Sequence, residues 1–260
     1  MRKIISLILA FLLIASSCWA GIDLDGTDDM ITTPSAAVNL NLGTFYLRLK
    51  LDYDTTSEIT RVFTDTDTAR HAFYYSGSPT GSGENGIQMY NDGRVSNFLS
   101  PSSWTIGQSV VFIFIYNKIG NVQRLFINGV EETVDTTEGT WGSTGLGTNF
   151  YIGSRFSQTD TYDGVVQEVA TWSVALTQSE IDLLVNSKLR HILLQIQPAN
   201  LKGYWSMDDQ ETGTSADADT VRDLSGNGNN GTGDNGANNT GLTWVGETIL
   251  SYPSGIISGL

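Results

Sequence analysis

The chain carries one cysteine, two histidines and five prolines in 260 residues, and 14 Lys and Arg against 28 Asp and Glu. A lone cysteine excludes an internal disulfide framework, and so few histidines and cysteines leave little room for a zinc cluster or a haem. The formal charge of −14 works against nonspecific contact with nucleic acid or an anionic membrane, because both surfaces are themselves negative. No apolar run is long enough to span a bilayer comfortably. What the chain has instead is 28 glycines, 10% aromatic and 40% hydrophobic residues. At this length that is enough apolar material for a substantial core. The aromatic content argues against disorder, and the glycines are too sparse and aperiodic for collagen.

The first twenty residues read as an export leader outside the fold. Arg2 and Lys3 form a short positive region, residues 4–15 are an apolar run, and the small residues that follow end at Ala20. Cleavage after Ala20 starts the mature chain at Gly21 and removes its cysteine, so stability must come from a packed core, with bound ions as a further source. In a second reading Cys18 becomes a lipidated N-terminus, since residues 15–18 loosely resemble a bacterial lipoprotein box. The expected location is secreted, periplasmic or on the cell surface.

The remainder reads as short strands between clusters of Gly, Asn, Asp, Ser and Thr. Phe45, Leu47, Leu49 and Leu51 alternate with Tyr46, Arg48 and Lys50, the period-2 pattern of a strand with one buried face. Residues 110–116 form a continuous β-branched and aromatic run, suited to a strand covered on both faces. Asn128-Gly129 after residues 122–127 is a strong hairpin signal, and Asn91-Asp92-Gly93 marks another tight turn. Residues 165–172 and 202–207 read as further strands. One segment reads as helix: Thr177 and Glu180 make a capping box, Ile181, Leu184, Val185 and Leu189 an apolar stripe, and Lys188, Arg190 and His191 a basic C-terminal end. Residues 208–239, polar and Gly-rich, read as a long surface loop. Many strands, one helix and no βαβ alternation predict an all-β sandwich.

Several motifs together resemble the laminin-G-like, concanavalin A-like jelly-roll family, which includes the pentraxins. IDLDGTDDMI at 22–31 is similar to that family's opening strand, LFING at 125–129 to its hairpin, and YIG at 151–153 with YDGVVQEV at 162–169 to a further pair of strands. WSVALTQSEI at 172–181 resembles its strand-to-helix element, and GYWSMD at 203–208 and DLSGNGNNG at 223–231 its terminal elements. The resemblance implies a jelly-roll β-sandwich of two antiparallel sheets over residues 21–252. In most such modules the last two motifs come first, so the resemblance implies either a circular permutation, with residues 201–252 closing the domain, or the start of a truncated second module. Residues 253–260 are left as a C-terminal tail.

The clearest candidate for chemistry is a calcium loop. Asp223, Ser225, Asn227 and Gly228 alternate short oxygen side chains ahead of a glycine, with Asn229 beside them and Asp234 at the twelfth position. Such a loop can wrap a hard cation; the same residues also suit Asx-turns that hydrogen-bond their own backbone. Asp25, Asp28, Asp29 and Asp163 are further oxygen donors if the terminal element packs beside the first strand. A pentraxin-type double calcium site, implied by the resemblance, would draw on Asp65 or Asp67 and on the positions of Ser154, Arg155 and Phe156, which supply almost no carboxylate.

A sugar needs a flat apolar face near planar polar groups. Trp141, among loop-type residues, is the first candidate for a stacking platform, with Tyr74, Tyr75 and Tyr162 behind it; Trp172 and Trp205 belong to strand motifs and read as core. Catalysis has little support. Glu168 is alone on its strand, whereas jelly-roll glycoside hydrolases place paired carboxylates on one face. Glu131 and Glu132, being adjacent, point to opposite faces. His71 and His191 lack a nucleophile motif, and Gly226-Asn227-Gly228 lacks the lysine and the strand-to-helix setting of a phosphate loop. The reading is an exported, non-catalytic module that binds glycan, with calcium as a candidate ion. A structural or adhesive surface or virion protein is the alternative, and a polysaccharide hydrolase or lyase on the same scaffold the second.

Overall fold

In a computed structural model of the chain, the described residues are 20–39, 41–51, 60–65, 71–76, 86–91, 93–99, 107–142, 147–154, 161–187, 189, 191–210, 213–236 and 241–246. The side chains of residues 51, 60–65, 71–76, 86, 91 and 99 fall outside that description, as do the leader with Cys18, Asp67, Arg155, Phe156, Lys188, Arg190 and the tail.

Seventeen strands are present among the described residues. In chain order they begin with β1 (Gly21–Asp25), β2 (Met30–Pro34), β3 (Leu42–Leu51), β4 (Thr60–Asp65), β5 (His71–Ser76), β6 (Gly86–Asn91) and β7 (Arg94–Leu99). Next come β8 (Ser109–Asn117), β9 (Val122–Ile127), β10 (Val130–Glu131), β11 (Thr136–Glu138), β12 (Asn149–Ile152) and β13 (Asp163–Trp172). After the helix α1 (Gln178–Asn186) follow β14 (Leu201–Trp205), β15 (Thr220–Val221), β16 (Gly231–Asp234) and β17 (Thr243–Val245). They form two antiparallel sheets. An eight-stranded sheet runs β10-β9-β8-β3-β13-β1-β17, with β14 also paired to β13; a nine-stranded sheet runs β11-β7-β6-β5-β4-β12-β2-β16-β15. No helix among the described residues is long and apolar enough to cross a membrane.

The main core lies between the sheets. Ile22, Leu47, Leu49, Phe112, Phe114 and Val166 from the eight-stranded sheet meet Ile31, Ile87, Met89, Phe98, Phe150 and Ile152 from the other. A second apolar cluster covers the outer face of the eight-stranded sheet, where Val111, Ile113, Ile115, Phe126 and Trp172 pack against Ile181 and Leu184 of α1. The continuous apolar run at 110–116 is thus buried on both faces, as its composition predicts. β3 departs from expectation, because its alternation predicts one wet face. Tyr46 is fully buried and Arg48 only 8% exposed, since the second cluster extends over them.

Local signals hold where the chemistry is local. Asn128 and Gly129 both adopt positive φ, 49° and 87°, as the hairpin requires. Thr177 and Glu180 form both hydrogen bonds of the capping box. The helix stops at Asn186 with no basic residue in its last turn, so Leu189 falls beyond it and is exposed. His191 likewise lies outside the helix, so it does not serve the dipole; its Nδ1 sits 2.8 Å from the Tyr204 hydroxyl.

The segment expected to be a long loop at 208–239 contains β15 and β16, which extend the nine-stranded sheet along β2. Composition misleads here because small residues are needed for close approach: a Cβ on Gly233 would stand 2.0 Å from the Ala216 carbonyl oxygen. Together with β14 on β13 and β17 on β1, these strands distribute the end of the chain over both sheets of one sandwich. Trp172 and Trp205 are core, as expected.

Candidate functional site

The loop at 223–229 is closed on itself. Asp223 Oδ1 accepts the backbone N–H groups of Tyr204 and Ser225, each at 2.9 Å, and Oδ2 accepts that of Asn229 at 2.9 Å. The Asn227 amide donates to the Leu201 carbonyl at 2.8 Å and the Asn229 amide to that of Lys202 at 2.7 Å. Ser225 Oγ lies 3.4 Å from the Lys202 carbonyl. These side chains splice the loop onto β14, which is the Asx-turn reading; their oxygens and amides face protein partners rather than a common centre. Asp234 does not join them. It stands in β16 in register with Met30, and its Oδ1 accepts the Gly236 N–H at 2.9 Å.

A different acidic group assembles at the β1–β2 turn. One carboxylate oxygen from each of Asp25, Asp28 and Asp29 lies within 4.8 Å of the others. Asp25 is exposed and its Oδ1 accepts the Thr27 N–H at 2.9 Å. Asp28 and Asp29 are buried, at 8% and 0% exposure. Asp29 Oδ2 accepts the Asp25 N–H at 2.7 Å, while its Oδ1 is buried with no hydrogen-bond partner. Burial pushes the Asp29 carboxyl up to about 7; the hydrogen bond from Asp25 opposes the shift and the like charges of Asp25 and Asp28 add to it. Asp163 is in register with Asp25 across β1 and β13.

The aromatic candidates separate by environment. Tyr162 is fully buried, and its hydroxyl donates to the Lys50 carbonyl at 2.9 Å. It therefore presents no face to a ligand, which corrects its assignment as a platform. Trp141 is half-buried against the main core; its indole N–H donates to Asn121 Oδ1 at 2.8 Å, and the Arg94 guanidinium stands 5.8 Å from its ring centre. It plugs the edge of the sandwich more than it crowns a loop. Tyr74 and Tyr75 lie on β5, in register with Gln88 and Ile87, and their side chains are outside the described residues.

The outer face of the nine-stranded sheet carries residues that the sequence reading passed over. Ile87, Met89, Phe98, Phe150 and Ile152 point into the core. By alternation their neighbours Gln88, Tyr90, Asn97 and Tyr151 lie on the other face, where Gln88, Asn97 and Tyr151 are buried, at 7%, 1% and 5% exposure, and Tyr90 is half-buried. Asn97 and Gln88 are in register, and the same rung continues through Tyr74 to Arg61. The Asn97 amide donates to Thr136 Oγ1 at 2.8 Å, while its Oδ1 is buried without a hydrogen-bond partner. β12, which bears Tyr151, lies three strand positions from β6, about 14 Å at ~4.8 Å per strand. The signal available in the sequence was alternation within 86–91 and 94–99, but it takes the sheet order to bring these strands onto one surface.

Glu168 on β13 faces the other way. Register shifts between Val166 and Glu168, leaving Gln167 as the extra residue and setting Glu168 opposite Arg48. Its oxygens meet the Tyr204 hydroxyl at 2.8 Å, the Tyr46 hydroxyl at 3.3 Å and Arg48 Nε at 3.4 Å. Burial raises its carboxyl; Arg48 and the two hydroxyls oppose the shift. Glu131 is bound bidentately by Arg124, at 2.6 and 2.7 Å.

Among curated proteins none matches the chain. Many solved structures resemble it, and three show the shared fold. A Bacteroides ovatus protein to which carbohydrate binding has been ascribed superposes with a TM-score of 0.60 at 17% identity, covering 88% of this chain; the chain spans only 61% of that protein. A heptameric pentraxin of Limulus polyphemus gives 0.51 at 13% identity, covering 65% of this chain and 82% of the pentraxin. The enzymatically active domain of tailspike protein 2 of bacteriophage CBA120 gives 0.50 at 13% identity, covering 74% of this chain and 30% of the tailspike chain. A family model matches residues 25–182, more than half of the length, and the chain belongs to the concanavalin A-like lectin/glucanases superfamily.

Proposed function

We propose that this chain is an exported, non-catalytic module that binds glycan on the outer face of its nine-stranded sheet. The observation that carries the reading is the row of planar amides and aromatics on that face. Gln88 and Asn97 stand side by side, at 7% and 1% exposure, and Tyr151, at 5%, lies three strands away on the rung of Tyr90, which is half-buried and offers the accessible aromatic face. The carbohydrate binding ascribed to the Bacteroides ovatus protein supports the same reading, as does the leader-like character of residues 1–20. Glu168 on β13 is buried and held by Arg48 of the eight-stranded sheet, which favours binding over hydrolysis.

A glycan array on the purified chain tests this. We expect selective binding that Tyr90→Ala weakens about tenfold, the worth of one stacking contact. Trp141→Ala should lower thermal stability more than affinity. An empty array, with the fold intact by circular dichroism, would favour the adhesive, protein-binding alternative; release of reducing ends from a polysaccharide would overturn the non-catalytic assignment.

A further inference from the structure

We infer that the corner where Asp25, Asp28 and Asp29 meet binds a divalent cation of calcium's size, and that the ion rivets the two sheets together. The inference is independent of the glycan reading and moves the ion away from the loop at 223–229.

Topology makes this corner special. Residues 26–29 lead from β1 in the eight-stranded sheet to β2 in the nine-stranded one, and β16 and β17 are also divided between the two sheets. β1 pairs with β17 and β2 with β16, so both ends of the chain change sheets at the same place. The backbone of the second segment seats directly on the carboxylates. A Cβ on Gly236 would stand 2.5 Å from Asp28 Cγ, and one on Gly241 would stand 2.4 Å from Asp25 Oδ2. Side chains are excluded there; Asp28 and Asp29 are buried, while Asp25 and Thr27 are exposed.

Three clustered carboxylates would not by themselves indicate an ion. The second observation is Asp29, which is fully buried and has one oxygen spent on the Asp25 N–H and the other without a partner. A buried carboxylate oxygen with no donor is destabilising unless a cation or a proton meets it. Calcium accepts 6 to 8 oxygens at about 2.3–2.6 Å from mono- or bidentate carboxylates and water. Three carboxylates with one oxygen each supply three of those ligands, and water entering beside Asp25 supplies the rest. Magnesium, which insists on a tight octahedron and keeps several waters, suits an enclosed corner less well.

The test is thermal melting of the purified chain in chelator and in about 10 mM calcium chloride, above the roughly millimolar dissociation constants of extracellular calcium modules. Isothermal titration with calcium chloride runs alongside. We expect calcium to raise the melting temperature of the unsubstituted chain by about 3–10 °C, the range for the roughly ten- to hundredfold excess that this concentration gives over dissociation constants of about 0.1–1 mM. Asp29→Asn should melt higher than the unsubstituted chain in chelator, because it removes a buried like charge, and should no longer respond to calcium. Should Asp29→Asn fail to fold, the exposed Asp25→Asn serves instead, with an expected loss of at least tenfold in calcium affinity. Asp223→Asn should keep the calcium shift. The assignment is overturned if the unsubstituted chain shows neither shift nor heat, in which case a proton on Asp29 occupies the corner. It is equally overturned if the 25 and 29 variants respond to calcium like the unsubstituted chain, or if Asp223→Asn alone abolishes the response.

Discussion

Two acidic turns of this chain look alike in sequence and differ in what their carboxylates touch. Asp223, in an Asp-, Ser- and Asn-rich loop ahead of a glycine, receives three backbone N–H groups and leaves no oxygen idle. Asp29, in a turn with fewer oxygen side chains, receives one N–H and keeps a buried oxygen unmatched. The first carboxylate is satisfied by its own loop; the second sits among like charges at a junction of two sheets. A ligand spacing along the chain is therefore a poor guide to an ion when the same oxygens can be saturated locally, and an unsatisfied buried oxygen is a better one.

The comparison can be broken at several points. Asp223→Ala should have the largest effect, since three N–H groups lose their acceptor at once. We expect about 2–4 kcal/mol, or a fall in melting temperature of about 5–15 °C, with no rescue by calcium. Gly241→Ala should come next. Its Cβ would meet the Asp25 carboxylate, and the residue holds φ at +110°, so both stability and the calcium shift should fall; a variant that melts normally and responds to calcium would show that this contact does not matter.

A smaller effect is expected from pH in chelator. Asp29 has its folded value near 7 against an ordinary 3.8, so between these values the folded chain holds a proton that the unfolded chain has released. Stability should fall as pH rises from about 4 to about 7 and then level off. Asp29→Asn should flatten that slope in denaturant titrations at several pH values, whereas Asp223→Asn should leave it in place. The smallest effect is assigned to Gly226→Ala. That residue has φ +85° with open space around it, so only the backbone conformation resists and about 1 kcal/mol is at stake.

The two outer sheet faces carry the same lesson at larger scale. Alternation in β3 predicts a wet face bearing Tyr46 and Arg48, yet the helix cluster and Glu168 close over it. Gln88 and Asn97 raise no flag in the sequence, yet their amides stand in register on the face away from the main core, and both are buried there. The reason is that residue spacing reports which side chains share a face of one strand, while what covers that face is set by segments more than a hundred residues away.

Composition and short-range pattern alone determined the all-β class, the Asn128-Gly129 hairpin, the capping box at Thr177, the doubly buried strand at 110–116 and the core roles of Trp172 and Trp205. Each depends on backbone preferences or hydrophobic period within about ten residues. Only the tertiary structure decided that residues 231–234 are strand, that Tyr162 is core, that Glu168 faces Arg48 across a bulge, and that Asp25, Asp28 and Asp29 gather where the chain changes sheets. Those outcomes depend on register, on which backbone lies within a few ångströms of a missing Cβ, and on whether a buried oxygen finds a donor, and such quantities exist only once distant strands have paired.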